Sequence, residues 1–178
     1  LNGSSVGEFR LAMFDAAFSA PDLGEIPVAW GRSEKSLTKK MSTVAALDTL
    51  TPEPRDLVAQ AGDYKVAGGN PQLGYDISSL AVSGHAAGIL RFRFACIDRH
   101  AQPGLTVSWT GEQQSGASGA GQLHFTADDG VLIVPKDAYP RWLTLQHVKR
   151  LQIGLTNPGA CGAIAVKDVS LLQRNAFR

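Results

Sequence analysis

Gly88-Ile89-Leu90-Arg91-Phe92-Arg93-Phe94-Ala95-Cys96-Ile97 is the stretch whose pattern decides how the rest of the chain is read. Leu90, Phe92, Phe94 and Cys96 share one parity, and Arg91, Arg93 and Ala95 share the other. Only an extended strand keeps such an alternation on two faces, because successive side chains of a strand point to opposite sides. The stretch is therefore a strand with an apolar inner face and a basic outer face.

Working outward, the same period recurs. Downstream, Leu105, Val107 and Trp109 alternate with Thr106, Ser108 and Thr110, and Leu123 and Phe125 flank His124. Residues 131–134, 151–155 and 163–172 read as further strands, separated by Asp128-Asp129-Gly130 and Asn157-Pro158-Gly159, turn-forming clusters. Residues 111–121, rich in Gly, Ser and Gln, read as a loop, and 135–143, with Tyr139 and Trp142, as an irregular segment. Upstream, 63–67 and 73–77 read as strands around the turn Gly68-Gly69-Asn70-Pro71. Nothing after residue 60 reads as a long helix.

Residues 1–60 differ in texture and read as an N-terminal extension to a β domain at 61–178. Phe9, Leu11 and Met13 suggest a short strand over 8–15. Leu37, Met41, Val44 and Ala45, at i, i+4, i+7 and i+8, suggest a helix over 33–50 stopped by Pro52 and Pro54, packing on its own domain. Gly3-Ser4-Ser5-Val6-Gly7 matches the spacing of a nucleophile elbow but lacks the strand before and the helix after that the motif requires.

The 178 residues carry 17 basic and 16 acidic side chains, a formal net charge of +1. Such a balance gives no electrostatic case for nucleic acid, and no apolar run is long enough to span a bilayer. Nineteen glycines, about 11% against about 7% in ordinary proteins, suit many short strands joined by tight turns. The start at Leu1 rather than Met leads us to expect a processed protein or a piece of a longer one. Cys96 and Cys161 are the two cysteines, with no CxxC pair; spacing alone leaves open whether they bridge.

Residues 61–178 resemble a galactose-binding-domain-like jelly roll, the all-β sandwich of many carbohydrate-binding modules. The resemblance rests on Asn70-Pro71-Gln72-Leu73 after a first strand, Leu90-Arg91-Phe92-Arg93-Phe94 as central strand, Val107-Ser108-Trp109 as the next, Val148-Lys149-Arg150-Leu151-Gln152-Ile153 leading into Asn157-Pro158-Gly159, and the closing run 163–171. It implies a non-catalytic module that binds a glycan or polysaccharide, appended to a larger polysaccharide-handling protein such as a bacterial envelope glycosyltransferase. The alternative is a structural or protein-interaction sandwich docked on other domains of its own polypeptide or on an assembly. Because the central strand of such folds pairs antiparallel with the closing strand, the resemblance also implies a Cys96–Cys161 bridge, and with it a periplasmic or extracellular location. Some related modules hold a structural calcium with an Asp of the closing strand, which makes Asp168 the candidate metal ligand. No other cofactor is implied, and a bulge or solvent-facing role for Asp168 is the competing reading.

For the site, outward parity selects Arg91, Arg93, Thr106, Ser108, His124 and Gln152. The arginines suit the carboxylates or hydroxyls of an acidic glycan, and Tyr139 and Trp142 are the candidate sugar-stacking aromatics. Trp109 shares parity with Leu105 and Val107 and reads as core. Asp98, Glu112, Asp128 and Asp129 lie in turns, where acids serve conformation, and the four histidines form no metal-binding cluster. No catalytic constellation is legible.

Overall fold

The computed structural model describes residues 29–30, 41–127, 129–136 and 139–174. The organising stretch is a strand, β7 (Ile89–Arg99), and its two faces behave as its parity requires. Phe92 and Phe94 are fully buried while the Arg93 side chain is 59% exposed.

Strands alternate between two sheets. β1 (Ala29–Trp30), β2 (Met41–Ala46), β4 (Leu57–Gln60), β5 (Asp63–Val66), β7, β10 (Gly130–Pro135) and β12 (Cys161–Arg174) form one sheet. β3 (Glu53–Arg55), β6 (Gln72–Asp76), β8 (Gly104–Gln113), β9 (Ser118–Thr126) and β11 (Leu145–Leu155) form the other. The orders are β1-β10-β7-β12-β5-β4, with β2 also on β12, and β3-β6-β11-β8-β9. All described pairings are antiparallel. From β5 onward the chain crosses to the opposite sheet at almost every step. This is the connectivity of a jelly-roll sandwich, in which each sheet buries one face on the other.

The inner faces supply one core. Leu90, Phe92, Phe94, Leu132 and Ile164 of the seven-stranded sheet meet Leu73, Val107, Trp109, Leu151 and Ile153 of the five-stranded sheet. Trp109 is core, as its parity requires. Trp142, in the one-turn helix α1 (Pro140–Leu143), is also fully buried.

The expected helix over 33–50 is not formed where the structure describes it. Residues 41–46 are β2, paired with β12 from Met41↔Arg174 to Ala46↔Ser170. Residues 33–40 lie outside the described residues, as does the expected strand at 8–15. The helical spacing of Met41, Val44 and Ala45 is coincidental: Val44 is exposed and is skipped by the register, and the open edge of β12 offers Ser42, Thr43 and Ala45 a ladder. Such pairing overrides a weak local signal.

The division at residue 60 also falls within a structural unit. β4 and β5 are a hairpin, Gln60 opposite Asp63, turning through Ala61 and Gly62, both at positive φ, the geometry of a tight two-residue hairpin. β2, β3 and β4 thus complete both sheets.

The expected loop at 111–121 is mostly strand, because β8 and β9 form a long hairpin through Gln114 and Gly116. Gly116 turns the hairpin at positive φ, whereas Gly119 and Gly121 face inward. A Cβ at Gly121 would strike the Trp109 ring, and one at Gly119 the Leu145 side chain. At these two positions glycine makes room for core side chains rather than for a turn.

Candidate functional site

The residues with outward parity fall on two opposite faces. Arg91 and Arg93 stand on the outside of the seven-stranded sheet; Thr106, Ser108, His124 and Gln152 stand on the outside of the five-stranded sheet. The sandwich core lies between, so they form two surfaces rather than one site.

On the five-stranded sheet, strand register lines the outward residues into cross-strand rows. One row runs His124, Thr106, Gly154, Gln72; its neighbour runs Gln122, Ser108, Gln152, Gly74, Glu53. With strands about 4.8 Å apart, four of them span about 14 Å, more than one sugar ring covers. The Ser108 hydroxyl donates to the Gln152 amide oxygen at 3.3 Å. The Gln122 amide nitrogen lies 2.8 Å from His124 Nε2, and Thr106 Oγ1 lies 3.2 Å from His124 Nδ1. Since the amide nitrogen can only donate, Nε2 accepts, and the ring proton sits on Nδ1 and is donated to Thr106. Thr106 keeps its own hydroxyl hydrogen to donate.

Charges stand at the margins of these rows and are paired there. Arg150 reaches over Gly74 to Glu53, and Lys149 holds Glu112 at 2.8 Å. The hydrogen bond and charge of Lys149 keep the Glu112 carboxyl below its usual range. The Ser78 hydroxyl, donating at 2.6 Å, and the Ser78 N–H do the same for Asp76.

The aromatic expectation fails for Trp142. The Trp142 ring is 0% exposed, its indole N–H donates to the Ala87 carbonyl at 2.8 Å, and it meets Trp109 edge-on at 5.6 Å. α1 begins at Pro140 and turns this residue inward. Tyr139 is half-buried, tilted against Trp109 at 6.5 Å, and burial pushes its hydroxyl up to about 12. Trp142 belongs to the core and offers no ring face to solvent, while Tyr139 packs against the core and stays partly exposed.

On the other face, Arg93 is paired with Asp168 at 3.1 Å. Asp168 faces a cation, and among the described residues no group of three His, Cys, Asp or Glu could hold a metal ion. It sits in a bulge. β12 carries an extra residue between the pairs Lys167↔Arg93 and Ser170↔Arg91, and Asp168 has φ +55°. Of the acids weighed for hydrolysis, Asp129 accepts from the Cys96 N–H at 2.8 Å and from Arg99 at 2.7 Å. Glu112 is held by Lys149, and Asp128 lies outside the described residues.

Cys96 and Cys161 are bridged, Cα atoms 5.4 Å apart. The antiparallel pairing of β7 with β12, Ile164 opposite Cys96 and Cys161 opposite Arg99, brings the thiols together. Parity alone could have found Gln122, two residues before His124. Glu53 could not have been found that way, because its place beside Gly74 depends on a strand pairing 21 residues apart in sequence.

No protein-family model matches the chain, and no curated protein does. Solved structures of similar shape exist. The family 11 carbohydrate-binding module of Clostridium thermocellum, solved with a β-1,3-1,4-mixed-linked tetrasaccharide, is 8% identical with a TM-score of 0.43, covering 78% of this chain and 91% of that one. TmCBM27, a carbohydrate-binding module that recognises mannan, is 11% identical with a TM-score of 0.36, covering 84% and 100%. PfGH50B is 9% identical with a TM-score of 0.41, covering 71% of this chain, which spans 22% of its length. These are likenesses of fold.

Proposed function

We propose that this chain is a non-catalytic carbohydrate-binding module whose binding surface is the outer face of the five-stranded sheet. The observation that carries the reading is the row Gln122, Ser108, Gln152, continued by Thr106 and His124 in the neighbouring row. Amides, hydroxyls and a neutral imidazole both donate and accept, as sugar hydroxyls do, and the register holds them on rigid strands. From Gln122 to Gln152 the row carries no charge, and the Arg150–Glu53 pair at its end balances, so the ligand is a neutral polysaccharide rather than an acidic one. Its geometry binds by hydrogen bonding along the chain, without an aromatic platform.

The electrostatics favour binding over hydrolysis. A glycosidase needs one carboxyl held protonated, whereas both carboxyls of this face whose ionisation is perturbed, Asp76 and Glu112, are shifted downward. The disulfide favours an oxidising compartment, hence a periplasmic or extracellular location. In that setting the module holds a larger polysaccharide-handling protein on its substrate.

The test is calorimetric titration against a panel of neutral and acidic bacterial polysaccharides. Saturable heat with a neutral polysaccharide, weakened tenfold or more in a Ser108→Ala/Gln152→Ala double variant, is expected. A folded sample that gives no heat with any member, or binding that the double variant leaves intact, overturns the reading.

A further inference from the structure

The bulge in β12 builds a cavity on the opposite face. It measures about 200 Å³ and lies over β2, β12, β7 and β10. Its floor is Val131 and Ser170, both buried; its walls include Arg91, Arg93, Asp48 and Asp168. Ser170 is 4% exposed, and its hydroxyl has no hydrogen-bond partner. A desolvated hydroxyl without a partner is a costly thing to keep inside a protein. The reason it stands here is local: the bulge shifts the register by one residue, so that a serine lies opposite Arg91 and Ala46 on the outward side.

We infer that this cavity is a binding site for a single neutral sugar unit, recognised through adjacent hydroxyls. Two guanidinium groups and two carboxylates balance in charge, which disfavours a net anion or cation. Their alternation suits a vicinal diol: a carboxylate accepts each O–H while a guanidinium donates to the oxygen. Ser170 at the floor, able to donate and accept, meets a third hydroxyl. The Arg93–Asp168 pair does not block entry, because both side chains are more than half exposed and such a pair is weakly held in water. The volume suits one ring and not a chain, so the site takes a chain end or a side branch. It is separate from the long face on the other sheet and does not depend on it.

Backbone amide NMR during titration with the methyl glycosides of glucose, mannose and galactose, with glucuronate as the anionic control, tests the inference. Saturable shifts at Ala46, Arg93 and Ser170 with at least one neutral glycoside are expected. They should need at least fivefold more ligand in Ser170→Ala and in Asp168→Asn, the latter chosen because Asn tolerates the left-handed conformation of this position. Both variants are checked for an unchanged amide spectrum elsewhere; if one misfolds, the other decides. No shifts at these residues with any neutral glycoside, or shifts with glucuronate alone, overturn the inference. Shifts confined to Ser108, His124 and Gln152 would do so while leaving the proposed function standing. Shifts at Ser170 with a silent five-stranded face would support the cavity and count against that function.

Discussion

The two outer faces of this sandwich grow from the same alternation and end up chemically opposed. On the five-stranded sheet the outward positions are amides, hydroxyls and an imidazole bonded to one another, with ion pairs pushed to the margin. On the seven-stranded sheet they are charges bonded in pairs, Arg93 with Asp168, Arg99 with Asp129 and Lys167 with Asp63. Beside these pairs lies a small apolar cluster of Ile89, Ile133 and Leu172. The seven-stranded sheet also holds the disulfide. Alternation says only which residues face out. What they do there is set by which strands the register places side by side.

If the faces are independent, disturbing one must leave the other alone, and the disulfide gives the largest test. Opening the 65-residue separation by a Cys96→Ser/Cys161→Ser double change should cost about 4 kcal/mol and lower the melting temperature by roughly 8–16 °C. Polysaccharide affinity measured by calorimetry below that transition should stay within twofold. A parallel loss of affinity would break the comparison.

The next test concerns a cation that crosses between the sheets. Lys136, at the end of β10, is fully buried without a hydrogen-bond partner, its Nζ 3.6 Å above the Trp109 ring. Burial drives its ammonium well below 10.5. The cation–π contact is worth about 2 kcal/mol, whereas desolvating the ion costs several, so desolvation wins. Lys136→Met should therefore stabilise by about 2 kcal/mol and raise the melting temperature by roughly 4–8 °C. The sign of the pH effect follows. Between the lowered folded value and 10.5 the unfolded chain binds the proton and the folded chain does not, so wild-type stability rises with pH. The advantage of the variant should shrink as pH approaches that upper limit, and thermal melts across the alkaline range below it measure this.

Smaller effects sharpen the contrast between the faces themselves. Gln122→Ala removes one ligand contact and the bond that fixes the His124 tautomer, and should weaken polysaccharide binding about fivefold. Because its row carries no net charge, that affinity should change by less than about twofold with added salt. Lys167→Ala, on the opposite face and outside the cavity, loses only its pair with Asp63; it should change stability by less than about 1 kcal/mol and leave polysaccharide binding unmoved. A fall in binding there would mean that the long ligand wraps both faces.

The strands and their inner faces were legible because a half-buried strand writes its burial into every second residue, as β7 and β8 do. Three things were not. Residues 41–46 carried helical spacing by chance, and only the free edge of β12 made them strand. Gly119 and Gly121 looked like loop because a glycine that admits a tryptophan ring is indistinguishable, in sequence, from one that admits a turn. Trp142 looked available because an irregular segment has no parity to read, so its inward turn on α1 left no trace. For the proposed site, parity picked out Ser108, His124 and Gln152 as outward-facing, but it could not tell which sheet each outward residue belonged to. It therefore merged Arg91 and Arg93 with residues on the far side.

The bridge between β7 and β12 also decides where a mechanical load would travel. The chain from Cys96 to Cys161 is closed into a loop whose contour, about 22 nm if drawn out, cannot extend while the bond is intact. β8, β9 and β11, which carry Ser108, Gln122, His124 and Gln152, all lie inside that loop. Tension arriving along the polypeptide passes from one cysteine to the other through the sulfurs, and peeling of β12 from its Arg174 end stops at Cys161. The strands of the proposed glycan face are thus held off the line of force, so that face outlasts partial unravelling of the rest.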